Sequence, residues 1–422
     1  MIRFPLAALI AAVAGSASAA PPNVTHLFPA GGQRGTTVAV TMGGTTDPWP
    51  VRVWVDAPGI AVEPSKEKGK LAVAIAPDAE PGVYAVRFYN ADGASGLRHF
   101  IVGMLPDVVE KEANDDAKSA QAIPGNAAVH GQLAKPGDVD CFAVSLKKGQ
   151  TLVASLDAHS ALKSPMDAVL QVLSADGFVL AENHDHRGLD PQIAFAAPSD
   201  GKYVVRLFAF PSTPDASIRF AGGDTYVYRL TLTTAGFADF PLPLAVAKAE
   251  DAAGLALEGW NLPTDAKPLS LGREVRGEPF RRLFHPKIAN VVDVLIEPSA
   301  VAWDGKTPLV PPFAVTGRIA EKRGSTTFAF AAKKGQPLGV DVESRSLGLA
   351  VNPAVRVLDA AGKEIVRGEP QKADGDTALT FAAPADDTYS IAVGDLYAGG
   401  GPRHAFLLRV APTRPDFSLT AS

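Results

Sequence analysis

The chain has 422 residues, of which 46% are hydrophobic and 20% are charged, and its formal net charge is -5. This length exceeds one ordinary core and predicts roughly two to four domains. The balanced composition and a mean hydropathy of +0.08 argue against wholesale disorder and against a multi-span membrane protein. A weakly acidic chain offers no positive field to a phosphate backbone, so no nucleic-acid partner is expected.

The amino terminus has the pattern of a secretory signal peptide. Arg3 is followed by an apolar run that reaches about Val13, and small residues then stand in an A-x-A arrangement at 17–19. The apolar run is about half as long as a membrane-spanning helix requires. We therefore expect a signal peptide at 1–19, cleavage after Ala19, and a secreted or periplasmic mature chain without a transmembrane segment.

Strand-like patterns follow along the rest of the chain. The 39 Gly and 35 Pro residues are spread over its whole length, which favours frequent chain reversal over a helical bundle. Apolar residues alternate with period two in segments such as 152–156 and 203–207, and this is the periodicity of β-strands. The sequence predicts an all-β protein of tandem β-sandwiches.

The sequence also matches itself at a spacing of 186 residues. Segment 131–150 aligns without gaps on 317–336, and segment 195–208 aligns on 381–394 at the same spacing. A repeat of this length indicates a duplicated domain. Two copies of one antiparallel sandwich are therefore predicted.

A fainter repeat precedes each copy. The segment from His26 can be laid over the segment from Ala238, which pairs Phe28-Pro29 with Phe240-Pro241 and Gly43 or Gly44 with Gly259. On its own, 245–259 could be an Ala-rich helix, but this alignment makes its end a strand, and strand is our prediction. The chain is thus expected to hold two duplicated pairs, each with an immunoglobulin-like sandwich followed by one copy of the larger sandwich. The predicted boundaries after the signal peptide are 20–108, 109–235, a degenerate immunoglobulin-like module at 236–305, and 306–422.

Several segments resemble a known family. EKEANDDAKSAQAI at 110–123, then GDVDCFAV, SPMDAVLQVLSADG and APSDGKYVVRLF, resemble the bacterial pre-peptidase C-terminal (PPC) domain, a jelly-roll-like sandwich of secreted proteases and other exported proteins. The resemblance covers about 109–234 and, less completely, 306–415. FPAGGQRGTTVAVTMGG resembles the opening of an IPT/TIG immunoglobulin-like domain, and the closing RPDFSL is similar to tails of planctomycete-type secreted proteins. The resemblance implies secretion, a non-catalytic accessory role and, in some members, calcium.

Acidic side chains precede two strands of the first copy. Side chains two apart on an extended segment share a face, so several oxygens would converge if the two segments lie side by side. Calcium takes six to eight oxygen ligands, whereas zinc would prefer His or Cys. In calcium-binding members of the family the ligands occupy these positions, although Ala113 replaces the usual proline; a solvated acidic linker is the alternative. The candidate metal ligands are Glu110, Glu112, Asn114, Asp115, Asp138 and Asp140.

The second copy lacks most of these acids. At the 186-residue spacing, Gly324 and Thr326 stand where the first copy has its two aspartates. Counting back through the leader with a one-residue shift places Leu295 at the position of Glu110 and leaves Glu297 as the one carboxylate. One Ca²⁺ site is therefore predicted.

Other reactive or charged residues have simpler interpretations. Cys141 is the single cysteine, so it forms no internal disulfide and is predicted to be a small buried hydrophobe. His184-Asp185-His186 could be a metal pair, but a polar turn is favoured. No H-E-x-x-H, G-x-S-x-G or Walker A motif occurs, and no catalytic residue is predicted. A basic cluster could be solvated surface or could contact an anionic polymer: Arg273, Arg276, Arg281, Arg282 and Lys287.

These features predict an exported, non-catalytic binding or spacer protein of the cell envelope or the extracellular space. Its partner would be an unidentified protein or polysaccharide, and calcium would make the interdomain junction rigid. The alternative is a hydrolase, or a hydrolase accessory chain, acting on protein or polysaccharide.

Overall fold

The computed structural model describes residues 20–213, 219–274, 278–372 and 375–413; the expected signal peptide lies outside these ranges. Almost all regular structure is strand, arranged in paired sheets, so the all-β prediction is confirmed. In the described part of the chain, no helix has the length and apolar character needed to cross a membrane.

The first module, residues 23–103, is a small sandwich. Its sheets have the strand orders β1-β3-β6-β5 and β2-β9-β7-β4, with β8 beside β7. Phe88 and Phe100 are fully buried between them. The strands are β1 (Asn23–Phe28), β2 (Gly31–Gln33), β3 (Thr37–Thr45), β4 (Arg52–Val55), β5 (Ile60–Pro64), β6 (Lys70–Ile75), β7 (Gly82–Asn90), β8 (Gly93–Ala94) and β9 (Arg98–Gly103).

The second module, residues 107–233, is a larger sandwich. Its strands are β10 (Asp107–Val109), β11 (Gln121–Ala122), β12 (Ala127–Gln132), β13 (Asp140–Leu146), β14 (Thr151–Asp157), β15 (Met166–Leu173), β16 (Val179–Asn183), β17 (Gln192–Ala196), β18 (Gly201–Pro211) and β19 (Val227–Thr233), with a short helix α1 (His159–Leu162). The two sheets have the orders β10-β12-β19-β14-β17 and β11-β13-β18-β15-β16. The core between them includes Phe142 and Tyr228.

The third module, residues 237–296, is shorter. Its strands are β20 (Phe237–Leu242), β21 (Ala245–Val246), β22 (Ala256–Trp260), β23 (Ser270–Leu271), β24 (Phe280–Phe284) and β25 (Val292–Ile296), and a 3-10 helix covers Ala249–Gly254. The strand prediction therefore holds for the end of 245–259, and the Ala-rich stretch before it forms only the 3-10 helix.

The strand register corrects the alignment of the fainter repeat. Val24 lies opposite Gly44, and Ala238 lies opposite Gly259, at the start of the first hairpin of each small module. The glycines correspond as expected. Counting four residues along each strand, however, Leu242 occupies the position of Phe28, so the Phe-Pro match was shifted by two residues.

The fourth module, residues 313–412, has the strand orders β26-β33-β28-β31 and β27-β32-β29-β30. The second module has these same orders once its leader strands β10 and β11 are set aside. The registers also agree, because Phe142 faces Val205 and Phe328 faces Ile391, each 186 residues later. The strands are β26 (Phe313–Arg318), β27 (Ser325–Ala332), β28 (Pro337–Glu343), β29 (Pro353–Leu358), β30 (Glu364–Gly368), β31 (Thr377–Ala382), β32 (Asp387–Asp395) and β33 (Ala405–Pro412).

The third module contacts the three others. Arg282 donates to the carbonyl of Val83 in the first module at 2.7 Å, and Asn261 donates to the carbonyl of Thr151 in the second at 2.9 Å. An apolar cluster joins the third module to the fourth. Its buried members are Phe240, Leu244, Ala245, Leu295, Ala314, Leu349, Ala405 and Leu407.

Two residues of the basic cluster, Arg273 and Arg282, take part in contacts between modules. For these two, neither a solvated surface nor a contact with an anionic polymer describes their role. The guanidinium of Arg282 lies 4.9 Å from the centre of the Tyr84 ring, and the backbone of Arg273 donates to Glu80 at 2.9 Å. Arg281 pairs with Glu274 at 2.8 Å, whereas Arg276 lies outside the described residues. Arg273 and Arg282 thus belong to the interface between the first and third modules, whereas Lys287 is exposed and pairs with Asp265 of its own module.

Candidate functional site

The leader of the second module is held on its sheet. β10 pairs in parallel with β12, and the backbone of Glu110 donates to the carbonyl of His130 at 3.0 Å. Beside it, a Cβ at Gly131 would collide with the Glu110 carboxylate and with the Tyr228 hydroxyl. Glycine is therefore required at 131, because only a residue without a side chain lets these groups approach the backbone.

The Tyr228 hydroxyl joins two predicted ligands. It lies 2.9 Å from Oε2 of Glu110 and 2.6 Å from Oδ2 of Asp140. One hydroxyl proton cannot serve two carboxylates, so this arrangement favours a proton on one of them. Burial, and then the charge of Asp140, raise the pKa of Glu110. Burial also raises the pKa of Asp140, with a further contribution from neighbouring acids.

Asn114 is completely buried beside these acids. As placed, its amide oxygen lies 3.0 Å from Oε2 of Glu112 and 3.3 Å from Oδ1 of Asp140; turning the amide over would convert both contacts into hydrogen bonds. With its nitrogen on that side, the amide donates to both carboxylates and holds them close together.

Asp138 is also buried. Its Oδ2 accepts a hydrogen bond from the backbone of Ala134 at 2.6 Å, but its buried Oδ1 has no hydrogen-bond partner. The nearest cation is Lys135, whose Nζ lies 3.9 Å from Oδ1. A buried carboxylate oxygen without a partner is costly and is a feature that needs an explanation.

The structure thus brings together five of the six predicted ligands. The exception is Asp115, which is exposed and makes no hydrogen bond or ion pair with a described residue. As the described side chains stand, no group of three or more His, Cys, Asp or Glu residues could hold a metal ion. Tyr228 links the carboxylates of Glu110 and Asp140, and Asn114 links those of Glu112 and Asp140. The oxygens therefore form a cluster but not a complete coordination sphere.

The matching place in the fourth module is aromatic. Ala300 bridges to Ala314 as Asp107 bridges to Ala128, which puts Trp303 at the position of Glu110. The expectation that Leu295 stands there was wrong, because Leu295 belongs to β25 of the third module.

The one acid expected to remain in the second copy has another role. Glu297 pairs with Arg409 at 3.0 Å and also accepts a hydrogen bond from the Ser299 hydroxyl at 2.7 Å. It therefore fixes the start of the fourth module to β33 and is not the remnant of an ion site.

The other reactive residues are structural. Cys141 is completely buried, and burial raises the pKa of its thiol to about 12, so it is not a nucleophile near neutral pH. His184 is exposed, whereas His186 is largely buried 3.7 Å from Asp239. The two histidines therefore do not share a metal, and the favoured turn describes them better.

Sequence reasoning missed Tyr228. The signal was present, because β19 and β33 are equivalent strands and Gly131 faces Tyr228 as Gly317 faces Phe406. A comparison of these two strands would have shown a hydroxyl beside the acids of one copy and none in the other.

Comparison with known proteins agrees for part of the chain. Residues 138–209 match the family model of the bacterial pre-peptidase C-terminal domain, so the chain contains a PPC domain there. A stretch of 73 residues is 37% identical to a probable subtilase-type serine protease of Deinococcus radiodurans. That stretch is 17% of this chain and 10% of the protease, so the chain spans only a small part of that relative.

Solved structures give weaker similarities. The PPC domain of a Bacillus anthracis collagenase matches at 10% identity and a TM-score of 0.20, over 25% of this chain and 92% of that one. Aeromonas hydrophila PliG, a periplasmic inhibitor of g-type lysozyme, matches at 15% identity and a TM-score of 0.20, over 30% of this chain and 97% of that one.

Proposed function

We propose that this is an exported, non-catalytic binding or accessory protein, built from two duplicated pairs of sandwiches. The PPC domain at 138–209 carries the proposal, and the equal strand orders of the second and fourth modules support the duplication. The similarity of one stretch to part of a probable subtilase-type serine protease fits an accessory role. Its partner would be a protein or polysaccharide outside the cytoplasm.

Within this proposal, one calcium ion binds the oxygen cluster of the second module. Two observations support it: the buried side chain of Asn114 lies between the carboxylates of Glu112 and Asp140, and one buried oxygen of Asp138 has no partner. A divalent cation would replace the repulsion between carboxylates with attraction, and all the donors are hard oxygens. The ligands would be Glu110, Glu112, Asn114, Asp138 and Asp140, once Glu112 and Asp138 rotate toward Asp140.

The ion would act mainly on the leader. Residues 110–114 follow β10, which comes directly after the first module in the chain, and they lie beside β13. The backbone of Cys141 in β13 donates to the carbonyl of Asn114 at 3.0 Å. Without an ion, burial favours protonation of Glu110 and Asp140. With the ion they bind as carboxylates, so the leader is held to the sandwich and the junction becomes rigid.

Calorimetric titration of the mature chain with CaCl₂ tests this proposal. We expect one site per chain, and at a concentration 100 times the Kd about 2.7 kcal/mol of added stability. The double variant Asp138→Asn with Asp140→Asn should lose both effects. The matched control is Asp115→Asn, which removes an acid from the same leader but outside the cluster and should bind as the wild type does. No calcium binding, or equal binding by the double variant, contradicts the proposal.

A second candidate, a hydrolase, rests on one observation. The cleft between the modules contains two carboxylates, Asp157 and Asp293, whose pKa values are raised by burial, and such groups are candidates for acid–base catalysis. Hydrolysis of a protein or polysaccharide that is lost in both Asp157→Asn and Asp293→Asn would establish it. No activity in the wild type leaves the binding protein as the function.

A further inference from the structure

A polar cavity of about 190 Å³ lies where the first, second and third modules meet. The outer face of the second module's sheet forms one wall, because β14 and β19 are neighbours there. β25 of the third module contributes the opposite wall. The polar lining includes two carboxylates, two guanidiniums and two hydroxyls: Asp157, Asp293, Arg187, Arg229, Ser155 and Thr231.

The charged groups around this cavity have few close partners. Among the described residues, the carboxylates of Asp157 and Asp293 make no hydrogen bond and no ion pair within 4 Å. Arg229 is 5% exposed, its Nε has no hydrogen-bond partner, and its closest carboxylate contact is with Asp107 at 3.9 Å. A buried charge that lacks a close partner is costly. A polar ligand or water molecules in the cavity would stabilise these charged groups.

Asp293 connects the cavity to its surroundings. It also lines two neighbouring cavities of about 270 and 280 Å³. Its side chain reaches solvent, but many protein atoms surround its carboxylate. The resulting loss of hydration raises the pKa of Asp293, and the nearby charges of Arg282 and Arg187 oppose this shift. A molecule in any of the three cavities can therefore reach this carboxylate.

The four charges match a ligand with both signs. Arg187 is close enough to lower the pKa values of both Asp157 and Asp293, which burial raises. A simple cation would add no partner for the guanidiniums, which in the described part of the chain have only the Gln192 amide oxygen at 3.2 Å from Arg187 and Asp107 at 3.9 Å from Arg229. A simple anion would add no partner for the carboxylates. A ligand with both charges would make hydrogen bonds in which both partners are ionised, and charge-assisted bonds are short and strong.

We propose that this cavity binds a small zwitterion of the α-amino-acid class. The ligand carboxylate would lie at Arg187 and Arg229, and its ammonium group would lie at Asp293 and Asp157. The volume suits one such molecule, and it equally suits about six waters at ~30 Å³ each. The alternative to the proposal is therefore a set of buried waters. The inference goes beyond the binding role proposed above, because it names a ligand class, and it does not depend on calcium.

Calorimetric titration of the full mature chain with each of the twenty free amino acids, in the presence of EDTA, tests this inference. We expect at least one to bind with 1:1 stoichiometry. Its N-acetyl and carboxamide derivatives, which each lack one charge, should bind at least tenfold more weakly. Because EDTA is present, failure here is distinguishable from failure of the calcium site.

Two variants and a control complete the experiment. Asp293→Asn keeps the shape of an exposed side chain and should weaken binding at least tenfold; Arg187→Gln should do the same from the other wall. The control is Asp78→Asn, an exposed acid of the first module that lines none of these cavities, and it should bind normally. Circular dichroism shows that each variant is folded. No binding by any amino acid, equal binding of the blocked derivatives, or normal binding by both variants would overturn the proposal in favour of buried waters.

Discussion

The second and fourth modules place different chemistry on one scaffold. Gly131 faces Tyr228 in the second module, and Gly317 faces Phe406 at the matching ladder position in the fourth. In both, a Cβ on the glycine would collide with the aromatic ring opposite. The close approach of ring and backbone is therefore shared, and only the atom at the tip of the ring differs.

The neighbours of the ring differ accordingly. The Tyr228 hydroxyl contacts Glu110 and Asp140, whereas Phe406 packs 6.1 Å from Phe328, which in turn packs 5.1 Å from Trp303. The aromatic version needs no proton and no ion, because it contains no buried charge. The comparison shows that a few positions around one ring decide whether this sandwich is a candidate ion site.

The junctions before these modules differ in the same direction. In the first pair, the backbone of Gln33 donates to Asp107, which also pairs with the buried His130 at 2.9 Å. In the second pair, a cavity of about 660 Å³ opens between the third and fourth modules, lined by residues that include Trp303 and Val315. Hydrogen bonds therefore bridge the polar junction, whereas an apolar cavity lies at the other.

Exchanging the two rings should produce the largest effect. Phe406→Tyr places a hydroxyl among aromatic rings where the second module has carboxylates, and an unsatisfied buried hydroxyl costs about 1–3 kcal/mol. Tyr228→Phe removes the donor shared by Glu110 and Asp140 and should cost a similar amount without calcium. Hydrogen exchange of β33 and β19, respectively, measures the local loss of stability.

The control is the same exchange at a ring that both modules share. Tyr203→Phe and Tyr389→Phe change equivalent buried rings, each of which donates to the backbone carbonyl four residues earlier, so their costs should agree. Both ring-exchange variants being as stable as the wild type would show that the two modules are interchangeable at this site, contrary to the comparison.

His130, at the polar junction, should give the stability of the second module a pH dependence that the fourth module lacks. Burial lowers the pKa of His130, although its hydrogen bond with Asp107 opposes this. A lowered folded-state pKa means that stability is complete above the unfolded value of about 6.5 and is lost as the pH falls toward the folded value. Thr316, at the matching position, does not titrate.

His130→Gln isolates this contribution. Glutamine can still donate to Asp107 but carries no titrating ring. Hydrogen exchange of β12, corrected for intrinsic rates, should show that the wild type loses more stability than the variant between pH 7.5 and 5.5. The wild type must be compared with the variant, because the raised pKa values of Glu110 and Asp140 make the stability of both proteins fall with rising pH. The contribution of His130 is the difference between the two pH profiles. Equal pH dependence in wild type and variant would remove His130 from the account.

Much of the fold was accessible from sequence. Alternation of period two is imposed by the pleat of a strand, and the 186-residue match carries over to the ladders, where Phe142 and Phe328 face Val205 and Ile391. The leaders could not be aligned in this way. Few residues in them are buried, so their sequences carry little pattern, and the count that placed Leu295 beside Glu110 was wrong.

The candidate site was accessible only in part. Alternate spacing grouped Glu110, Glu112 and Asn114, and the structure places Asn114 among carboxylates. The partner from β19, Tyr228, is 118 residues from Glu110, and no local pattern links positions that far apart. The charged cavity around Asp293 was equally inaccessible, since it exists only where separate modules pack together.

The smallest expected effect concerns a turn that the two modules share. The backbone of Lys148 donates to Asp200 at 2.8 Å, and the backbone of Lys334 donates to Asp386 at 2.6 Å. Only the first acid also forms an ion pair among the described residues, with the Lys147 ammonium group at 3.0 Å. The hydrogen bonds from Lys148 and Lys147 lower the pKa of Asp200, so its contribution is present above about pH 4 and is lost as the pH falls through the folded value.

Asp200→Asn and Asp386→Asn each keep an oxygen for the backbone donor and remove only the charge. Exposed ion pairs contribute little and are screened by salt, so Asp200→Asn should be slightly more destabilising in low salt, and the two variants should become equal in 1 M NaCl. Thermal unfolding at both salt concentrations measures this difference. If the difference persisted in high salt, the two turns would differ in packing, and the equivalence of the second and fourth modules would not extend to their surfaces.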